Sequence, residues 1–190
     1  MDKDNITFYY EWLPLDKKEF RILAMLADYG EYRDNLSPMC DYFSVTRQSR
    51  NRDQLRNSIQ ELEKQGFIQV EQSGRTYTLR AVPQANEIEM DRELFTSIKN
   101  HDYTTAGVAW EQVIKLYLWI IQHDSEELTT NREIAEALQT SQSTVCSAKN
   151  VLQREYEAIV KQRVSEKTGD DTFRSLGQLI QASAWWNKIE

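Results

Sequence analysis

In the stretch "TRQSRNRDQLR", residues 46–56, four arginines (Arg47, Arg50, Arg52 and Arg56) stand against a single acid, Asp53. A guanidinium is a rigid fork of donors that grips phosphate oxygens or the O6/N7 edge of guanine, and Gln or Asn amides pair in the same two-point way with adenine. Gln54 and Asn57 lie in or beside the same segment. On a helical period the apolar stripe Leu55, Ile59 and Leu62 turns inward; Arg50, Asp53 and Asn57 lie opposite it, with Gln54 and Arg47 at one flank. Arg47, Arg50, Gln54 and Asn57 are therefore the expected base-reading side chains. Arg52 and Arg56, on the other flank, are expected at phosphates, together with Arg75 from the nearby "QSGR".

These residues need elements to hold them. "LDKKEFRILAMLADYG" opens with Asp16 and Glu19 at capping-box spacing and closes on Gly30, which predicts a helix. "LSPMCDYF" predicts a short second helix capped by Ser37, with Pro38 at its first position. The arginine helix is expected to start at Thr46 or at Asn51 and to stop at Gly66. A start at Thr46 turns Gln48 inward, which favours Asn51. "FIQV" and "TYTLRAV" alternate apolar and polar residues around Gly74 and predict a hairpin. "ITFYYEWL" reads as a short strand or an extended arm. Three helices, the last two joined by a tight turn and followed by a hairpin, form a winged helix-turn-helix plan.

The second half repeats that plan. Trp110, Val113, Ile114, Tyr117, Leu118 and Ile121 mark an amphipathic helix. Ile134, Ala135 and Leu138 form the inner face of the next, the turn spans Gln139 to Ser141, and Val145, Ala148 and Leu152 form the inner face of the third. "AIVKQRV" and "TFRSLGQLI" predict a second wing. Gln142, Ser143, Thr144, Ser147, Lys149 and Asn150 are the candidate contacts of a second reading helix. They supply little phosphate attraction, so auxiliary DNA contact and a role in protein contact both stay open. "EIEMDRELFTSIKN" is expected to be helical, within an ordered connector.

The chain is acidic, with a formal net charge of −7. Residues 1–83 carry 12 basic and 13 acidic side chains, whereas residues 84–190 carry 11 and 17. The negative charge thus sits in the second half. Screening over about 8–10 Å leaves a local basic patch in the first half effective.

Other chemistry finds little support. The two histidines, His101 and His123, have no partners at metal-ligand spacing, and the six glycines form no phosphate loop. No enzyme, metal or cofactor is expected. Cys40 and Cys146 are far apart and read as reduced thiols; Cys146 beside Lys149 is a weak candidate for oxidation sensing. No secretory signal is visible and the longest apolar run, Leu116 to Ile121, is far short of a membrane span, so a cytoplasmic setting is expected. Ile180, Ala184, Trp185, Trp186 and Ile189 form an aromatic tail with two uses open to it, packing on its own domain or joining a homodimer. "FYYEW" is the alternative dimer segment.

The segment "FSVTRQSRNRDQLRNSIQELEKQGFI" resembles the winged-helix superfamily of bacterial regulators, in which a recognition helix ends in a leucine, a charged run, a glycine and an isoleucine strand. "REIAEALQTSQSTVCSAKNVL" is similar to the common bacterial helix-turn-helix pattern, but has Gln139 where the turn often carries glycine. Two such units in tandem also resemble plasmid and phage replication initiators. The expected fold is mainly α with small β-hairpin wings (α+β): tandem winged helix-turn-helix domains at 1–83 and 108–190, with a connector at 84–107. The resemblance implies a sequence-specific double-stranded DNA-binding protein, either a transcriptional regulator or a replication or maintenance protein of a mobile element. The rival expectation is a protein-interaction module that uses its winged helices as docking surfaces.

Overall fold

The computed structural model describes residues 5–123, 128–168 and 173–183. The chain is mixed α and β and divides into two compact units, Ile6–Glu89 and Met90–Glu190 with Met1–Asn5. The division falls inside the stretch read from sequence as a connector.

The first unit opens with β1 (Asn5–Tyr9) and a 3₁₀ turn at Tyr10–Trp12. Phe8 packs edge-on to Trp12 and stacks with Phe20, so these rings belong to the unit's core. That corrects the dimer role considered for "FYYEW": Phe8, Tyr9 and Trp12 are buried. Helix α1 (Lys17–Tyr29) has the expected capping box, with Asp16 accepting from the Lys18 and Glu19 backbones and Glu19 reaching back to Asp16 N. It ends at Gly30, whose φ of 79° suits only a residue without a Cβ.

Next come β2 (Glu31–Asp34), α2 (Leu36–Tyr42) and α3 (Ser49–Lys64). Asn35, not Ser37, caps α2 by accepting from Ser37 N at 2.9 Å; Pro38 still falls in the first turn, where its missing N–H has no intrahelical acceptor to lose. Helix α3 starts neither at Thr46 nor at Asn51: Gln48 is its N-cap, without a side-chain bond. Asn51 instead reaches back from the first turn and donates to Thr46 O at 2.8 Å, closing the α2–α3 turn. Leu55, Ile59 and Leu62 are buried as their spacing predicts, and Ser58 joins them.

Strands β3 (Ile68–Ser73) and β4 (Thr76–Ala81) form the hairpin. Gly74, at φ 61°, takes the first of its two loop positions, where a hairpin turn of the II′ kind requires glycine. The unforeseen β2 pairs with β4, which makes a three-stranded sheet in the order β2-β4-β3. Four residues are too few for an alternation to show, and β2 exists because β4 offers it a partner. Likewise β5 (Glu87–Asp91), expected as helix, is a strand paired with β1.

In the second unit α4 (Arg92–Asn100) is capped by Asp91, followed by α5 (Trp110–Gln122), α6 (Asn131–Ala137) and α7 (Gln142–Arg154). Thr130 and Glu133 form a capping box on α6, and Ser141 caps α7. Gln139, in the α6–α7 turn, has φ 48°, the left-handed conformation for which glycine is suited. Strands β6 (Ile159–Lys167) and β7 (Phe173–Ala182) pair antiparallel. Thr129, just before α6, exchanges two 3.0 Å backbone bonds with Gln178 of β7. It stands to the second hairpin as β2 stands to the first. Ile180 is buried; Ala184, Trp185, Trp186 and Ile189 of the aromatic tail lie outside the described residues. Among the described residues no helix is long and apolar enough to cross a membrane.

Candidate nucleic-acid interface

Helix α3 is the element around which the basic residues of the first unit gather, and its inner stripe fixes how they are dealt out. With Leu55 and Ile59 in the core, positions three before and one after Leu55 fall on one flank, and the position one before it falls on the other. Arg52 and Arg56 accordingly face a groove of about 670 Å³ between α3, the start of α2 and the hairpin. Arg75, beside the turn glycine, lines the same groove from the hairpin. The three expected phosphate contacts, separated by up to 23 positions in the chain (52 to 75), thus line one groove.

The acids in and around that groove are few. Asp53 lines it and pairs with Arg56. Both side chains remain about half exposed, so the pair is held in water and is readily exchanged for a stronger anion. Ser49, Gln72 and Thr76 supply neutral polar lining. Arg80, the hairpin's other arginine, is engaged elsewhere: it crosses the sheet face to Glu71 at 3.0 Å and to Glu31.

The expected base readers do not share one environment. Arg50 and Asn57 are exposed on the outer face of α3. Gln54 is half-buried on the opposite flank, in a small cleft with Lys18 and Arg21 of α1 and with Phe43 and Val45. Arg47 is tied to Asp41 of α2 by two hydrogen bonds, which hold the Asp41 carboxyl below the usual carboxylate range. Lys18 and Arg21 escaped the sequence reading. Their i,i+3 spacing places them on one face of α1, but only the packing of α1 against α3 brings that face beside Gln54. Burial, and secondarily the nearby Arg21, hold Lys17 below the ordinary lysine value.

In the second unit the candidate contacts separate further. Gln142 and Ser143 are exposed at the start of α7, and Thr144 is half-buried against the Ser141 cap. Ser147 and Asn150 are half-buried and line a pocket of about 300 Å³ with His101, Thr105 and Arg154. Lys149 corrects the expectation outright. Its side chain is buried, at 3% exposure, and Nζ donates to Asn131 Oδ1 at 2.5 Å. Gln178 Nε2 donates to the same oxygen at 2.8 Å. Burial pushes Lys149 down to about 8, with Cys146 opposing and Lys161 adding to the shift. The inner period of α7 explains this: Lys149 follows Val145 by four residues and lands on the stripe, a placement hidden by its polar side chain.

Among the described residues no group of three or more His, Cys, Asp or Glu side chains is arranged to hold a metal ion. No protein-family model matches the chain, and no curated protein matches it either.

Proposed function

We propose that this chain is a sequence-specific double-stranded DNA-binding protein built from tandem winged helix-turn-helix units, in which the first unit holds the duplex. The observation that carries the reading is the groove between α3 and the hairpin, lined by Arg52, Arg56 and Arg75 against Asp53 alone. Phosphate contacts dominate affinity for DNA, and a groove beside a helix that fits the major groove is where a phosphate backbone runs. Arg50 and Asn57, exposed on the outer face of that helix, are the base readers that fit this arrangement best.

The repeated plan supports the fold side of the reading. In each unit a helix pair with a tight turn is followed by a hairpin, and a segment ahead of the pair bonds to the hairpin's second strand. The second unit serves differently, because Lys149 is buried and Ser147 and Asn150 line a pocket. Protein contact is the use this favours for it. A cytoplasmic transcriptional regulator, or a replication or maintenance protein of a mobile element, is the biological setting we infer. A footprint at a promoter separates the first from a footprint at an iterated origin.

The test is fluorescence anisotropy of the full chain on duplex DNA across a salt series. Wild type is expected to bind with a steep salt dependence, and Arg52→Ala/Arg56→Ala/Arg75→Ala to lose a log–log slope of about 2.7, near 0.9 per phosphate. No binding by wild type at low salt overturns the reading.

A further inference from the structure

We propose that Asp53 is a specificity-determining residue of α3: its carboxylate accepts from the amino group of a cytosine at one base pair of the bound duplex and turns away bases that present acceptors there. The inference rests on the duplex-binding reading and adds base identity to it.

Asp53 stands on the border between the outer face of α3 and its groove flank. It lies about 60° around the helix from Arg50 on the one side and about 60° from Arg56 on the other. Along the axis it is about 4.5 Å from Arg50 and about 6 Å from Asn57, which is about one to two base-pair steps of about 3.4 Å each. Arg50, Asp53 and Asn57 are all exposed. A duplex that receives this face of α3 therefore meets a carboxylate between a guanidinium and an amide.

A carboxylate gains little there in the unbound protein. Asp53 falls beyond the first turn of α3, where a negative charge would be favoured by the helix dipole. Arg56 Nη1 donates to Asp53 Oδ1, an i,i+3 pair with both side chains about half exposed, and such a pair adds little to a helix. Duplex binding changes what Asp53 meets. When a phosphate takes Arg56, the carboxylate loses that partner, and the groups left to it on the outer face are base edges. An ionised carboxylate only accepts hydrogen bonds. In the major groove guanine shows two acceptors, thymine an acceptor and a methyl group, and adenine an acceptor beside its amino group, whereas cytosine shows its N4 amino donor. Cytosine is thus the base that meets Asp53 without repulsion, and at the others an unpaired charge rejects the misfit. Arg50 and Asn57, suited to guanine and adenine, flank it.

Selection of duplexes from a random-sequence pool by the full chain tests this with wild type, Asp53→Ala, Asp53→Asn and Arg56→Ala. Wild type is expected to enrich a site with a fixed C·G pair that Asp53→Ala leaves unselected while the other positions persist. Asp53→Asn is expected to replace that pair by A·T, because an amide pairs in two-point fashion with adenine. On the wild-type site, changing the C·G pair is expected to weaken wild type roughly tenfold and Asp53→Ala by less than about twofold. Arg56→Ala is expected to keep the C·G pair while its log–log salt slope falls by about 0.9, which separates reading by Asp53 from support of Arg56. Three results overturn Asp53 as a reader and leave duplex binding standing: the same bases enriched by wild type and both Asp53 variants, a pair other than C·G at the position that changes, or wild-type binding with no enriched position. Absence of duplex binding by wild type at low salt removes both.

Discussion

Arg47 and Asp41 face each other across the turn between α2 and α3, with Arg47 Nε donating to Asp41 Oδ1 at 2.8 Å and Nη2 to Oδ2 at 2.5 Å. The spacing of Arg47 from the α3 stripe placed it among the base readers, yet its guanidinium is occupied in the unbound protein. Both partners remain largely exposed, so the pair holds Arg47 in position more than it stabilises the fold.

Removing the carboxylate therefore frees a cation at the start of α3. Asp41→Ala is expected to tighten duplex binding and to steepen its log–log salt slope by about 0.9, the equivalent of one further phosphate. The salt series that tests the groove arginines measures it. A weaker complex with an unchanged slope instead means that Asp41 positions Arg47 for a contact that Arg47 already makes.

Lys149 predicts a pH dependence of stability in the second unit. Below about 8 its folded and unfolded forms both carry the proton. Between about 8 and the ordinary value of 10.5, the unfolded chain holds a proton that the folded chain has shed. Stability therefore rises with pH through that window. Urea unfolding at roughly pH 7, 8.5 and 10 is expected to show wild type gaining on Lys149→Met as pH rises, and a constant difference across that range refutes it.

Gln139 holds a backbone conformation that an L side chain adopts at a cost. At φ 48° in the α6–α7 turn, it is exposed, and its backbone N–H bond to Glu136 O is one that a glycine keeps. Gln139→Gly is expected to raise stability by about 0.5–1 kcal/mol, since relief of left-handed strain outweighs the added freedom of the unfolded chain. Denaturant midpoints decide it. An unchanged or lower midpoint means that the turn carries no such strain.

Gly177 is the opposite case. Its φ is 144°, and a Cβ there would stand 3.1 Å from Thr129 O and 3.4 Å from Leu128 Cβ. The pairing of β6 with β7 also shifts register beside it, between Val164 and Ser165. Gly177→Ala is expected to destabilise by about 1–3 kcal/mol and to expose the Thr129 and Gln178 amides to hydrogen exchange. Unchanged protection at both amides would falsify the close approach.

Much of the local architecture is legible in the chain because its causes are local. Asp16 and Glu19 announce the start of α1, Leu55, Ile59 and Leu62 the buried face of α3, and Gly74 the hairpin turn. Each rests on interactions within about four residues, which spacing records directly. The same period sorts Arg52 and Arg56 to one flank of α3, so the candidate phosphate contacts were readable before their groove was.

Tertiary structure decided what depends on partners distant in the chain. β2 is a strand because β4 lies beside it, β5 because β1 does, and neither partner is visible from four or five residues. Gln54 is removed from the outer face by α1, Arg47 is claimed by Asp41, and Lys149 is drawn inward to Asn131 and Gln178. A helical period reports which way a side chain leaves its own helix. What it meets there depends on the elements packed against that helix, and so Lys18 and Arg21, 30 and 27 positions before the cap of α3 in the chain (48 − 18 and 48 − 21), come to line its second flank only in the folded unit.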